Sequence, residues 1–217
     1  MPKGFSDSEK ELIRKRLLDH GYRLFSTYGL QKTNVEEIAR AAGISKGAFY
    51  IFYQSKEELF MSVVEQMESR LRQGILASID QPGPSPRARL YSLFKGAFGM
   101  IKSMPIMQFL DRADFDLVLR RLPPGKFQSH MVADIGFLEV LLERCRSAGI
   151  PIRVSAHQVV PLLYPLALAM LRQTDLEQGG FSSGLDQLLE LAAAYCLGEV
   201  ELILQPPAVL IDERESK

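Results

Sequence analysis

At 217 residues, 47% hydrophobic and 24% charged, the chain has the make-up of an ordinary globular protein, which excludes a disordered or collagen-like polymer. Its 26 basic and 26 acidic residues balance, so bulk charge makes no case for a nucleic-acid partner, and any such case rests on where the charges sit. Two cysteines are too few for a disulfide framework, and the most apolar run, Val159 to Leu171, falls short of the roughly 20 residues a bilayer needs and is broken by Pro161 and Pro165. Together with the lack of a signal-peptide pattern at the start, this leads to the expectation of a soluble, cytoplasmic protein with no membrane partner.

Residues 1–7 read as an arm. Ser8 and Glu11 stand at capping-box spacing for a first helix that closes near Gly29, with Ile13, Leu17, Leu24, Phe25 and Tyr28 as its core stripe. Arg14, Lys15 and Arg16 lie partly on the opposite face, as a solvated patch or a phosphate contact. Thr33 with Glu36, and Ser55 with Glu58, repeat the capping-box spacing and predict helix starts near 34 and 56. Between them Val35, Ile38, Ala39 and Ala42 keep a helical period that stops at Gly43, and a further short helix begins near Ser45. A helix, a tight Gly turn and a second short helix is a helix-turn-helix layout.

Leu59, Phe60, Val63, Val64, Met67, Leu71 and Ile75 carry the next helix to about residue 79, where Gln81-Pro82-Gly83-Pro84-Ser85-Pro86 punctuates the chain. Further helices are expected over about 86–103, 106–110, 113–122, 127–148, 155–173, and from Ser182 or Ser183 to before Pro206-Pro207, with a loop over 178–181. No run alternates in the manner of a strand. The fold class is therefore all-α: a three-helix helix-turn-helix domain over 1–55, a connecting helix over 56–80, and a larger helical domain over 81–217.

A buried three-helix unit accounts for Val35, Ile38, Ala42, Ile44 and Leu59 but not for Lys46, Gly47, Ala48 and Tyr50. Small residues at the start of a short helix permit close approach to base edges, Lys46 can reach a guanine acceptor, and Tyr50 and Lys56 suit phosphate oxygens. The run Leu17 to Phe60 resembles the N-terminal domain of TetR-family transcriptional regulators, on Leu24, Phe25, Gly29, Thr33, Ile38, Ala39, Ala42, Gly43, Ser45, Gly47, Tyr50, Lys56 and Leu59. The resemblance implies a homodimer on palindromic double-stranded operator DNA, contacted by Thr33, Ser45, Lys46, Gly47, Ala48, Tyr50, Tyr53 and Lys56, and a small-molecule effector site beyond the DNA-binding domain. The family usually has His or Tyr where this chain has Phe52, and Phe where it has Tyr53. Which of the two approaches the DNA backbone stays open.

In the C-terminal part, Phe98, Met100, Met104, Met107, Phe109, Phe115, His130, Met131, Phe137 and Tyr164 supply flexible thioethers and aromatics suited to an apolar effector pocket, or simply to a core. The expected effector is lipophilic, and its binding releases the protein from DNA; a ligand-independent or activator-type regulator is the alternative. The last two helices are apolar nearly all round, which predicts a two-fold dimer interface over Val159, Leu163, Leu166, Met170, Leu185, Leu188, Leu189, Ala192, Tyr195 and Cys196. Gly43-Ile44-Ser45-Lys46-Gly47 also satisfies the nucleophile-elbow pattern of hydrolases, with Asp111, Asp114, His130 and His157 following, but that elbow needs a strand before its serine. His20, His130 and His157 stand on separate segments, so neither a metal site nor any cofactor is expected.

Overall fold

The computed structural model describes residues 5–109, 112–171 and 182–201, with no strand among them. Its α-helices are α1 (Asp7–Lys32), α2 (Val35–Ala41), α3 (Lys46–Phe49), α4 (Lys56–Ala77), α5 (Pro86–Lys102), α6 (Arg112–Arg121), α7 (Lys126–Ser147), α8 (Ala156–Leu171) and α9 (Ser182–Cys196), with a 3-10 turn at Pro105–Phe109. The all-α class and the helix order follow the sequence. The expected loop at 178–181 and the stop at Pro206-Pro207 lie outside the described residues.

Two helix starts fall two and one residues away from where the first capping-box spacing put them. Ser6, not Ser8, caps α1: its hydroxyl accepts from the Glu9 N–H while the Glu9 carboxylate accepts from the Ser6 N–H. Asn34, not Thr33, caps α2 and accepts from the Glu37 N–H at 2.9 Å. Each true cap has its own acidic residue three positions on, so spacing alone does not separate the overlapping candidates. Ser45 and Ser55 cap α3 and α4 as expected, accepting from the Ala48 and Glu58 N–H groups.

The chain divides into two compact units: Met1–Ser78 with Lys95–Phe137, and Ile79–Phe94 with Leu138–Lys217. This differs from a cut after residue 80, because the segment after Lys95 comes back to the N-terminal helices. In the first unit Leu17, Phe25, Ile38, Phe49 and Leu59 are fully buried in one core, which also takes in Met104, Ile106 and Val118. The 3-10 turn packs on α1. Tyr28, expected in the stripe, is exposed, since the kink at Gly29 (φ 77, ψ 172) ends the regular helix just after it. That backbone region is in practice open only to glycine. Gly21 lets α4 approach α1 closely: a Cβ there would meet Leu59 Cδ2 at 3.1 Å.

In the second unit Leu90, Leu93, Phe94, Leu141, Leu142, Ile150, Val159, Leu189 and Ala192 are buried. Arg89 donates to the carbonyls of Ile79 and Ala148. Cys145 and Cys196 are free and buried, and burial pushes their thiols up to about 11 and about 12, so both stay protonated and unreactive at neutral pH.

Candidate nucleic-acid interface

The turn before α3 is built by Gly43 at φ 77, with the Ile44 N–H returning to the Ala39 carbonyl. This reversal sets α3 against α2 so that Phe49 points into the core at 0% exposure while Ser45, Lys46, Gly47 and Tyr50 face outward. Tyr50 is 51% exposed and stands edge-on to the Phe49 ring at 5.5 Å, which steadies it without covering it. Gly47 has only the Ser45 hydroxyl near its missing Cβ, at 3.9 Å, so the helix surface there is flat. The outcome is a short helix with a fixed buried side and an exposed side made of a cation, an aromatic hydroxyl and bare backbone.

Three residues expected to touch phosphates have other work. Thr33 is 1% exposed, and its hydroxyl donates to the Gly29 carbonyl at 2.7 Å. Lys56 Nζ donates to the carbonyls of Leu30, Gln31 and Thr33 at 2.7, 3.1 and 2.8 Å. These carbonyls lie where α1 ends at Lys32 and Thr33 turns extended, so they have no helical donors, and a single ammonium closes them. Burial in this site lowers the Lys56 pKa. Tyr53 is 9% exposed in the core, and burial raises its pKa, whereas Phe52 is half-exposed under the Arg14 guanidinium and beside Phe5. Of the two aromatics Phe52 is nearer solvent, and it has no donor for a phosphate. Lys56→Met is expected to cost about 2 kcal/mol of stability in urea titrations, because three carbonyls lose a charged donor. Its DNA affinity, measured on protein that remains folded, should change little.

Ser45 Oγ accepts from the Ala48 N–H, and the residues before it form α2 rather than the strand a nucleophile elbow requires. Asp111 lies outside the described residues.

Among the expected pocket residues, Met104 and Met107 pack on the helix-turn-helix core, Phe98 and Met131 are buried, and Met100 and Tyr164 are half-buried. The side chains of Phe109 and Phe115 lie outside the described residues. Phe137 carries the Arg72 guanidinium over its ring at 5.1 Å. His130 stands among carboxylates rather than in an apolar cavity: Glu68 Oε2 is 3.7 Å from its Nδ1 and Asp134 Oδ2 is 3.4 Å from its Nε2. Burial, with the charge of Asp134 next in weight, pushes the Glu68 carboxyl up to about 8. The glutamates of this cluster, and Asp134, did not stand out in the sequence; their signal is the run Glu65, Glu68, Arg72 on α4 and Lys126, His130, Asp134 on α7, each along one helix face.

Of the expected dimer residues, Val159, Leu166, Leu185, Leu189, Ala192 and Cys196 are already buried within the single chain, where α8 packs on α9. Leu163 and Tyr195 are half-buried, and the side chain of Met170 lies outside the described residues. What this packing leaves open is Leu188 at 43% and Leu191 at 36% exposure on α9, with Pro161, Pro165 and Leu168 exposed on α8.

Residues 17–63 match the family described as bacterial regulatory proteins, tetR family. The chain is 40% identical over 63 residues to the HTH-type transcriptional regulator AcrR of Shigella flexneri, a stretch covering 29% of each protein. It thus spans under a third of the length of the first relatives it matches. Over nearly the whole chain the fold is similar to Thermus thermophilus FadR, a TetR-family transcriptional repressor solved with lauroyl-CoA (TM-score 0.53, 24% identity, 90% of this chain and 98% of that one). It is also similar to the transcriptional regulator FadR of Bacillus subtilis solved with stearoyl-CoA (TM-score 0.54, 16% identity, 83% and 97%). The matched stretch holds α2 and α3, and the likeness to these two solved structures is one of fold. Residues 17–63 therefore carry the helix-turn-helix domain of the tetR family of bacterial regulatory proteins.

Proposed function

We propose that the protein is a cytoplasmic, homodimeric repressor that reads a palindromic operator with α3 and is released from it by a small lipophilic effector. The observation that carries the DNA half is the outward face of α3, where Lys46, Gly47 and Tyr50 are exposed over a buried Phe49. A helix that served only as core would have no use for a bare backbone edge beside a free cation. Arg14 and its neighbours Lys15 and Arg16 on α1 are exposed as well and suit backbone phosphates, which position the protein without reading sequence.

The effector half rests on Phe98, Met100, Met131 and Phe137 of the first unit, a set rich in adaptable side chains. Coupling has a physical route in the first unit, since Met104 and Ile106 share one core with Leu59, Phe60 and Phe49. A ligand that shifts the segment around residue 104 therefore acts on the packing beneath α3. Because operator geometry fixes the arrangement of the two α3 helices, ligand and DNA lower each other's affinity by the same factor. Long-chain acyl-CoA thioesters, as bound by the two FadR proteins, are the first compounds to screen. A hit is expected to raise the melting temperature and to weaken operator binding at least fivefold in a repeated titration. A compound that stabilises the protein and leaves operator affinity unchanged would refute the switch and favour a ligand-independent regulator.

A further inference from the structure

We propose that Glu68, His130 and Asp134 form a binding site for a zinc-class divalent cation that joins α4 to α7. One donor atom from each of the three lies within 4.8 Å of the other two. His130 and Asp134 sit one turn apart on α7 with Nε2 and Oδ2 3.4 Å apart, and Glu68 comes from α4 with its Oε2 3.7 Å from the other ring nitrogen, Nδ1, so that one ion takes one of the two nitrogens together with the two carboxylates. Two donors bound at about 2.0–2.1 Å to a tetrahedral ion are themselves about 3.3 Å apart, so the α7 pair already stands at ligand spacing.

The surrounding charges leave room for a cation. Lys126 is paired to Glu65 at 2.7 Å, and Arg72 is paired to Asp134 through Oδ1 at 2.5 Å, which leaves Oδ2 turned toward His130. Glu68 is the carboxylate left over: its nearest cation, Arg72, is 4.0 Å away. Its Oε2 is buried without a hydrogen-bond partner. His130, at 9% exposure, forms no hydrogen bond among the described residues. With Glu68 ionised, as a bound cation would hold it, three carboxylates stand against two cations, one charge short of neutral. A buried carboxylate oxygen and a buried imidazole without proper hydrogen bonds are costly as they stand and are relieved by an ion bound within the cluster. One imidazole nitrogen and two carboxylate oxygens favour zinc, or another first-row ion, over magnesium, which prefers an all-oxygen shell. The site lies wholly within the first unit and stands independently of the proposed repressor function, since its test uses the protein alone.

The test is titration of Zn2+ into chelator-treated, untagged full-length protein against a chromophoric competitor, with Co2+ as a spectroscopic probe. The proposal expects one ion per chain, a raised melting temperature with zinc but not with magnesium, and visible Co2+ bands. His130→Gln should weaken zinc at least tenfold, while His157→Gln, at an exposed histidine, should leave it unchanged. Glu68→Gln keeps the shape while removing the unpaired charge, so it should fold at least as well as the parent and still lose zinc, which covers the case of a His130 variant that fails to fold. Absence of stoichiometric zinc in the parent protein would overturn the site. So would equal binding by the parent and Glu68→Gln.

Discussion

Replacing both Leu188 and Leu191 by Glu is expected to give a folded monomer whose operator affinity is lower by about 10²–10⁴-fold, the factor lost when two linked binding sites become independent. Both side chains are exposed in the single chain, so charge there leaves the fold intact. Tyr195 lies one turn beyond Leu191 on the same side of α9, and Pro161, Pro165 and Leu168 repeat at i, i+4 and i+7 on α8, so the open stripes are continuous along both helices. Leu189, fully buried one residue from Leu188, is the contrast: Leu189→Glu should unfold the second unit rather than dissociate it. Sedimentation velocity with circular dichroism separates the two outcomes. A double variant that stays dimeric at micromolar concentration would move the interface elsewhere.

Lys46→Ala should cost about 1–3 kcal/mol per site and relax base preference, because its ammonium stands at the start of α3 with no protein partner among the described residues. Tyr50→Ala should also weaken operator binding, without destabilising the protein much, since the ring is half in solvent and its neighbour Phe49 holds the core contact. Titrations on specific and random duplexes over a range of salt are the measurement. Equal losses on both duplexes would make Lys46 a phosphate contact rather than a base reader.

Helix order and the helix-turn-helix were legible because their signals are local. Gly43 at a turn and Ser45 and Ser55 as caps act within a few residues of themselves. Lys56 shows the opposite case. Its neighbours in sequence mark it as an exposed cation at a helix start, but its partners are carbonyls more than 20 residues earlier, left open where α1 ends. The same holds for α9: an apolar circumference states that two sides are covered, but not which side the chain covers itself, and Leu189 and Leu188 exchange roles on that point alone. His130 looked solitary because two of its companions, Glu65 and Glu68, lie on α4, some sixty residues away. Pairings between helices, rather than periods within them, were what spacing could not supply.

Selection of bound sequences from a random duplex pool by the full-length protein addresses the central claim, that α3 of two subunits reads a symmetric site. The account predicts an enriched two-fold symmetric sequence whose half-sites are centred about 34–36 Å apart, or a multiple of that, with enrichment abolished by Lys46→Ala. Recovery of no preferred sequence, or of a single site without two-fold symmetry, would contradict it.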